Sequence, residues 1–176
     1  GTREASLIRA ARVDRPKLTV ENEEREALVR LGLAMRDQFV FVPLLDVTAA
    51  AGSGSTDATP RILKYMAYRR DWLVGMMDLD PAASALIVAR GDSMEPDIRS
   101  GELLLLDLRS RVVTDPGVYV LALSDGEYVV KWVEKGWDGT LHVSSRNPAY
   151  RAWSVPAKLA DQLTVVGRVR AQQRRV

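Results

Sequence analysis

Two kinds of hydrophobic spacing divide the chain. Over residues 19–35 the apolar positions Leu28, Leu31, Ala34 and Met35 recur at helical spacing. Thr19 is placed to cap that helix, and Glu21, Glu23 and Glu24 fall in its first turn, where the dipole favours acids. From Phe39 onward the apolar runs are short and separated by Gly, Pro and Asp, which predicts strands at 39–42, 44–47, 85–90, 103–106, 117–123, 128–133, 141–144 and 163–169. A short helix is expected over 69–76. Ser124-Asp125-Gly126-Glu127 suits a hairpin turn, because Asp-Gly tolerates positive φ, and Trp137-Asp138-Gly139 suits the next. Residues 117–144 therefore read as an antiparallel meander.

This pattern organises the chain as a charged N-terminal segment, 1–38, with one helix, followed by one mainly β domain, 39–176. Within the latter, 48–60 is rich in Ala, Gly, Ser and Thr, a composition that stays flexible and can thread a narrow groove. The chain opens on Gly1-Thr2 rather than Met, which favours removal of a preceding domain.

Composition narrows the chemistry. With no Cys and a single His in 176 residues, thiolate catalysis, disulfides, Cys-based zinc sites and His-rich metal clusters are all excluded. No metal site and no cofactor is expected, and a Ser-His-Asp triad would need His142 itself. His142 lies on an apolar strand and reads as a surface or half-buried residue. The 25 basic residues nearly balance 23 acidic ones, so no polyanion footprint covers the domain. Arg168, Arg170, Arg174 and Arg175 read as a solvated terminus. Trp72, Trp132, Trp137 and Trp153 read as core and turn packing. No apolar run approaches the roughly 20 residues of a membrane span, so a cytoplasmic protein is expected.

Two polar residues stand where the pattern does not ask for them. In 128–133, Lys131 shares its face with Val129 and Val133. It either carries its head to water or sits desolvated, and desolvation would lower its pKa toward that of a base near neutrality. Upstream, the strand at 85–90 runs into Gly91-Asp92-Ser93-Met94-Glu95-Pro96, a sharp turn that exposes a serine and frees its backbone N–H. Those are the needs of a nucleophile with an oxyanion hole. Taken alone, a turn serine is ordinarily just a turn residue.

In order, Gly91-Asp92-Ser93-Met94-Glu95-Pro96, Gly101-Glu102-Leu103-Leu104-Leu105-Leu106-Asp107, Gly126-Glu127-Tyr128-Val129-Val130-Lys131, Asn147-Pro148-Ala149-Tyr150 and Val165-Val166-Gly167-Arg168-Val169 resemble the LexA-like family of self-cleaving repressors, peptidase family S24, and more distantly the signal peptidases. The resemblance covers about residues 39–170. It implies a LexA/signal-peptidase-like fold of antiparallel strands with a short N-terminal helix. It also implies a Ser–Lys dyad that hydrolyses a peptide bond of its own chain. Ser93 matches the nucleophile and Lys131 the general base, while the backbone N–H groups of Asp92 and Ser93 match the oxyanion hole. The bond that suits the family's Ala-Gly preference is Ala51-Gly52.

Family repressors dimerise through this domain and bind operator DNA through an N-terminal helix-turn-helix domain. The 38 residues before Phe39 show one good helix and no such domain. The resemblance further implies a homodimer and a trigger such as a RecA-like filament or an antirepressor. Two other readings stand beside self-cleavage. One is a non-cleaving S24-like dimerisation and sensing module; the other, a signal peptidase acting in trans, lacks an apolar anchor.

Overall fold

The computed structural model describes residues 22–47, 60–124 and 126–174. The chain divides into two compact units, residues 1–36 and 37–176. In the first, helix α1 spans Asn22–Ala34, and the Met35 N–H closes its end on the Leu31 carbonyl at 2.9 Å. Val29, Leu31 and Leu33 are exposed on it, so Leu31 does not serve the packing role its spacing suggested. The proposed cap Thr19 lies outside the described residues.

In the second unit, the strands are β1 (Phe39–Asp46), β2 (Arg61–Arg69), β3 (Ser84–Val88), β4 (Leu103–Asp107), β5 (Gly117–Ala122), β6 (Tyr128–Lys135), β7 (Leu141–Ser144), β8 (Trp153–Val155) and β9 (Thr164–Gln173). They form one sheet in the order β2-β1-β3-β4-β9-β5-β6-β7-β8. The fold is mainly β, as the spacing predicted. All neighbours run antiparallel except β1 and β3, which meet in parallel at Leu44 and Leu86. The expected meander is present as β5, β6 and β7, each paired to the next. Strand β9 alone is hydrogen-bonded to both β4 and β5, so it joins β1–β4 to β5–β8.

Three expectations change. Pro43 does not split the first strand, because β1 pairs with β2 along its whole length, Pro43 opposite Tyr65. Its ring removes one ladder donor without forbidding extended backbone. Strand β2 had no period-two signal. It lies at the edge of the sheet and stays largely exposed on both faces, so nothing enforces alternation. The helix expected over 69–76 is a single wide turn, Asp71–Met76, in which the Met77 N–H reaches the Trp72 carbonyl at 3.0 Å.

The arginines at the end are not a solvated tail. Strand β9 continues to Gln173, and Arg170 approaches Asp107 to 3.7 Å, beside the paired hydrogen bonds of 3.0 Å from Arg109. Those bonds hold the buried Asp107 carboxyl below the usual range despite its burial. Arg168 pairs with Asp115 at 3.6 Å and Arg174 with the buried Glu102 at 3.2 Å. Arg175 lies outside the described residues. Of the tryptophans, Trp72 stacks on Tyr68 at 5.5 Å and packs against the core, whereas Trp137 projects fully from its turn.

The core is mainly aliphatic: Val42, Leu73, Leu86, Leu104, Leu106, Val120, Leu121, Val133 and Val143 are sealed from solvent, together with Tyr119. Strands β4 and β9 approach so closely at Gly167 that a Cβ there would lie 2.8 Å from the Asp107 carbonyl oxygen. Gly167→Ala is therefore expected to cost about 1–3 kcal/mol, because backbone must move to admit the methyl. Urea unfolding measures this, and an unchanged midpoint would show that the strands have slack.

Candidate active site

Strand β3 and strand β4 are joined by an excursion clasped at its base. The Ala89 N–H reaches the Glu102 carbonyl at 2.8 Å, and the Gly101 N–H reaches back to the Ala89 carbonyl at 2.9 Å. Between these rungs the chain turns at Gly91, whose φ of 74° is open to glycine and strained for other residues. Met94 and Ile98 then drop into the core and anchor the loop from below. Ser93 is left half-buried between exposed Asp92 and buried Met94. Among the described residues, neither the Asp92 nor the Ser93 N–H is taken up by a backbone carbonyl.

Lys131 sits in the middle of β6, opposite Tyr119 of β5. It is half-buried, and its Nζ donates to Ser145 Oγ at 2.9 Å. Burial lowers its pKa below that of an ordinary lysine, with the Glu127 carboxylate opposing the shift. Lys131 is thus partly desolvated, between the two options left open by the sequence.

Segment 145–150 crosses from one residue to the other. The Asn147 N–H donates to the Ser93 carbonyl at 3.0 Å, and Asn147 Nδ2 donates to the Asp92 carbonyl at 3.1 Å. The Tyr150 hydroxyl donates to Asp92 Oδ1, a bond to a carboxylate that raises the phenol's pKa. The Tyr150 ring lies 5.2 Å from Lys131 Nζ.

Ser93 and Lys131 line one cleft of about 310 Å³, together with Gly91, Asp92, Glu127 and Tyr150. Val47 lines it too, at the point where the chain leaves the described residues. The bond Ala51-Gly52 lies outside them. His142 is exposed on β7, where its Nδ1 meets Ser154 Oγ at 3.0 Å, and takes no part in the cleft. Sequence reasoning did not find Ser145, since a serine at the end of a strand carries no pattern. Tyr150 was legible only as a member of Asn147-Pro148-Ala149-Tyr150.

Such a cleft is lined by a serine and a partly desolvated lysine, residue types from which an acyl-transfer site can be built. The Peptidase S24-like family model matches residues 43–170. The chain is 26% identical over 148 residues to an uncharacterized HTH-type transcriptional regulator of Haemophilus influenzae, covering 84% of this chain and 59% of that protein. It is 28% identical over 144 residues to the 26 kDa repressor protein of Escherichia phage HK022, covering 80% of this chain and 60% of the repressor. The chain thus spans less than two thirds of either relative.

Proposed function

The chain belongs to the Peptidase S24-like family, and from that premise we propose that it is the regulatory part of a transcriptional repressor, inactivated when Ser93 and Lys131 hydrolyse the Ala51-Gly52 bond of the same chain. In this reading neutral Lys131 takes the proton of Ser93 Oγ as the oxygen attacks the Ala51 carbonyl carbon. The Asp92 and Ser93 N–H groups face the resulting oxyanion. The Lys131 ammonium then returns the proton to the Gly52 nitrogen as the peptide bond breaks. Water, deprotonated by the same amine, hydrolyses the Ser93 ester and restores both residues.

The observation that carries the reading is the position of Val47 in the cleft wall. Ala51 is four residues further on, so covalent geometry keeps it within about 14 Å of Val47. Asp46 pairs with Arg61, which ties the intervening segment at both ends. The substrate is tethered to its own catalyst, and such proximity replaces the binding energy a free peptide would have to supply. Homodimerisation, operator binding through a preceding domain and triggering by a RecA-like filament or an antirepressor belong to the same proposal.

One observation favours the non-cleaving alternative: Lys131 gives its hydrogen bond to Ser145. Incubation of the purified chain at alkaline pH followed by mass spectrometry decides between them. Self-cleavage yields fragments 1–51 and 52–176. A chain that stays whole at every pH overturns the proposal and leaves the dimerisation and sensing module.

A further inference from the structure

The side chain of Tyr150 faces both halves of the Ser93–Lys131 pair. Its hydroxyl donates to the carboxylate of Asp92, the residue beside Ser93, and the face of its ring lies 5.2 Å from Lys131 Nζ. Tyr150 is itself fixed from within its segment, since its N–H reaches the Asn147 carbonyl at 3.1 Å while the Asn147 side chain holds Asp92. One rigid ring with two rotatable bonds thus ties the turn after β3 to the middle of β6.

We propose that Tyr150 is a positioning residue of the cleavage site, its hydroxyl fixing the Asp92–Ser93 turn and its ring fixing Lys131, so that one side chain sets the geometry between nucleophile and base. This inference rests on the reading of Ser93 and Lys131 as a dyad. The two ends of Tyr150 act differently. The hydroxyl orients a loop whose N–H groups must point at a developing oxyanion, where small displacements cost rate. The ring face attracts an ammonium and gives nothing comparable to a neutral amine, so it favours protonated Lys131 and opposes the effect of burial. The other charged or titratable groups lining the cleft are Arg90, Asp92, Glu127 and Tyr128, and Ser145 accepts the Lys131 hydrogen bond.

The test uses the full chain with Tyr150→Phe and Tyr150→Leu, read in two ways: the self-cleavage rate against pH, and the Lys131 titration followed by lysine-selective NMR. Tyr150→Phe is expected to lower the limiting rate roughly tenfold, the effect of one lost hydrogen bond to a charged group. Its Lys131 midpoint should stay near that of the parent. Tyr150→Leu is expected to lower the rate at least as much and to move the midpoint down by about half a unit. A Lys131 midpoint unchanged in Tyr150→Leu overturns the role of the ring. A Tyr150→Phe chain that cleaves at the parent rate overturns the role of the hydroxyl. Should the parent chain not cleave at all, the dyad reading fails and the positioning of a cleavage site fails with it, whereas a downward midpoint shift would still show the ring acting on Lys131. Tyr150 is 43% exposed, so neither substitution opens the core.

Discussion

If the proposed self-cleavage holds, Ser93→Ala is expected to leave the chain at full length under conditions that cut the parent chain to completion, with a fall in rate of roughly 10⁴-fold or more. The substitution is a clean one, because the structural duties of residue 93 rest on its backbone. Its carbonyl accepts the Asn147 N–H at 3.0 Å, and alanine retains that bond. Anchoring of the loop falls to Met94 and Ile98, and the turn to Gly91. Unfolding of the variant should therefore match the parent within the small range of a surface change. Mass spectrometry of timed samples measures the loss. Fragments 1–51 and 52–176 appearing at the parent rate would show that Ser93 is not the nucleophile.

The second large effect is at Lys131 and is visible in pH. In the proposed dyad only the neutral amine could accept the Ser93 proton, so the rate should climb with pH as Lys131 deprotonates and then level off. Burial lowers the Lys131 pKa, which places that plateau below the pH at which an exposed lysine would give it. Lys131→Arg keeps a cation at the same place but accepts no proton in this range, so it should abolish cleavage at every pH tested. A Lys131→Arg chain that still cuts would reduce the role of residue 131 to its charge. Stability carries the same sign. The folded chain disfavours the ammonium, so its Lys131 pKa is below the unfolded value. The penalty is complete below the folded pKa and disappears as pH rises to the unfolded one. Thermal unfolding should gain stability across that window, and Lys131→Met should flatten the gain.

The particular residues explain what the sequence could and could not disclose. Strands β3, β4 and β5 are legible because they are buried and apolar, so their side chains announce themselves. Strand β2 is not legible, since an exposed edge strand lets Arg61, Lys64 and Tyr65 stand where a core strand would need Val or Ile. The end of β9 hides for a related reason. Arg170 and Arg174 find carboxylates at Asp107 and Glu102, partners distant in sequence that no local pattern announces. Ser93 and Lys131 were readable from ordered motifs, and both line one cleft. The groups around them were not. Ser145 and the double engagement of Tyr150 exist only because segment 145–150 folds back over β6 and the turn at Gly91.

The place of β9 in the sheet bears on when the site comes into being. Ser93 belongs to the half built from β1–β4 and Lys131 to the half built from β5–β8, and β9 is the strand that zips the two edges together. Translation delivers residues 39–163 before any of β9 has left the ribosome. Until then β4 and β5 lack the strand between them, and Ser93 and Lys131 belong to pieces of sheet that no shared strand joins. Under the proposed self-cleavage, the bond at Ala51-Gly52 would thus be synthesised before the two halves that carry Ser93 and Lys131 share one sheet.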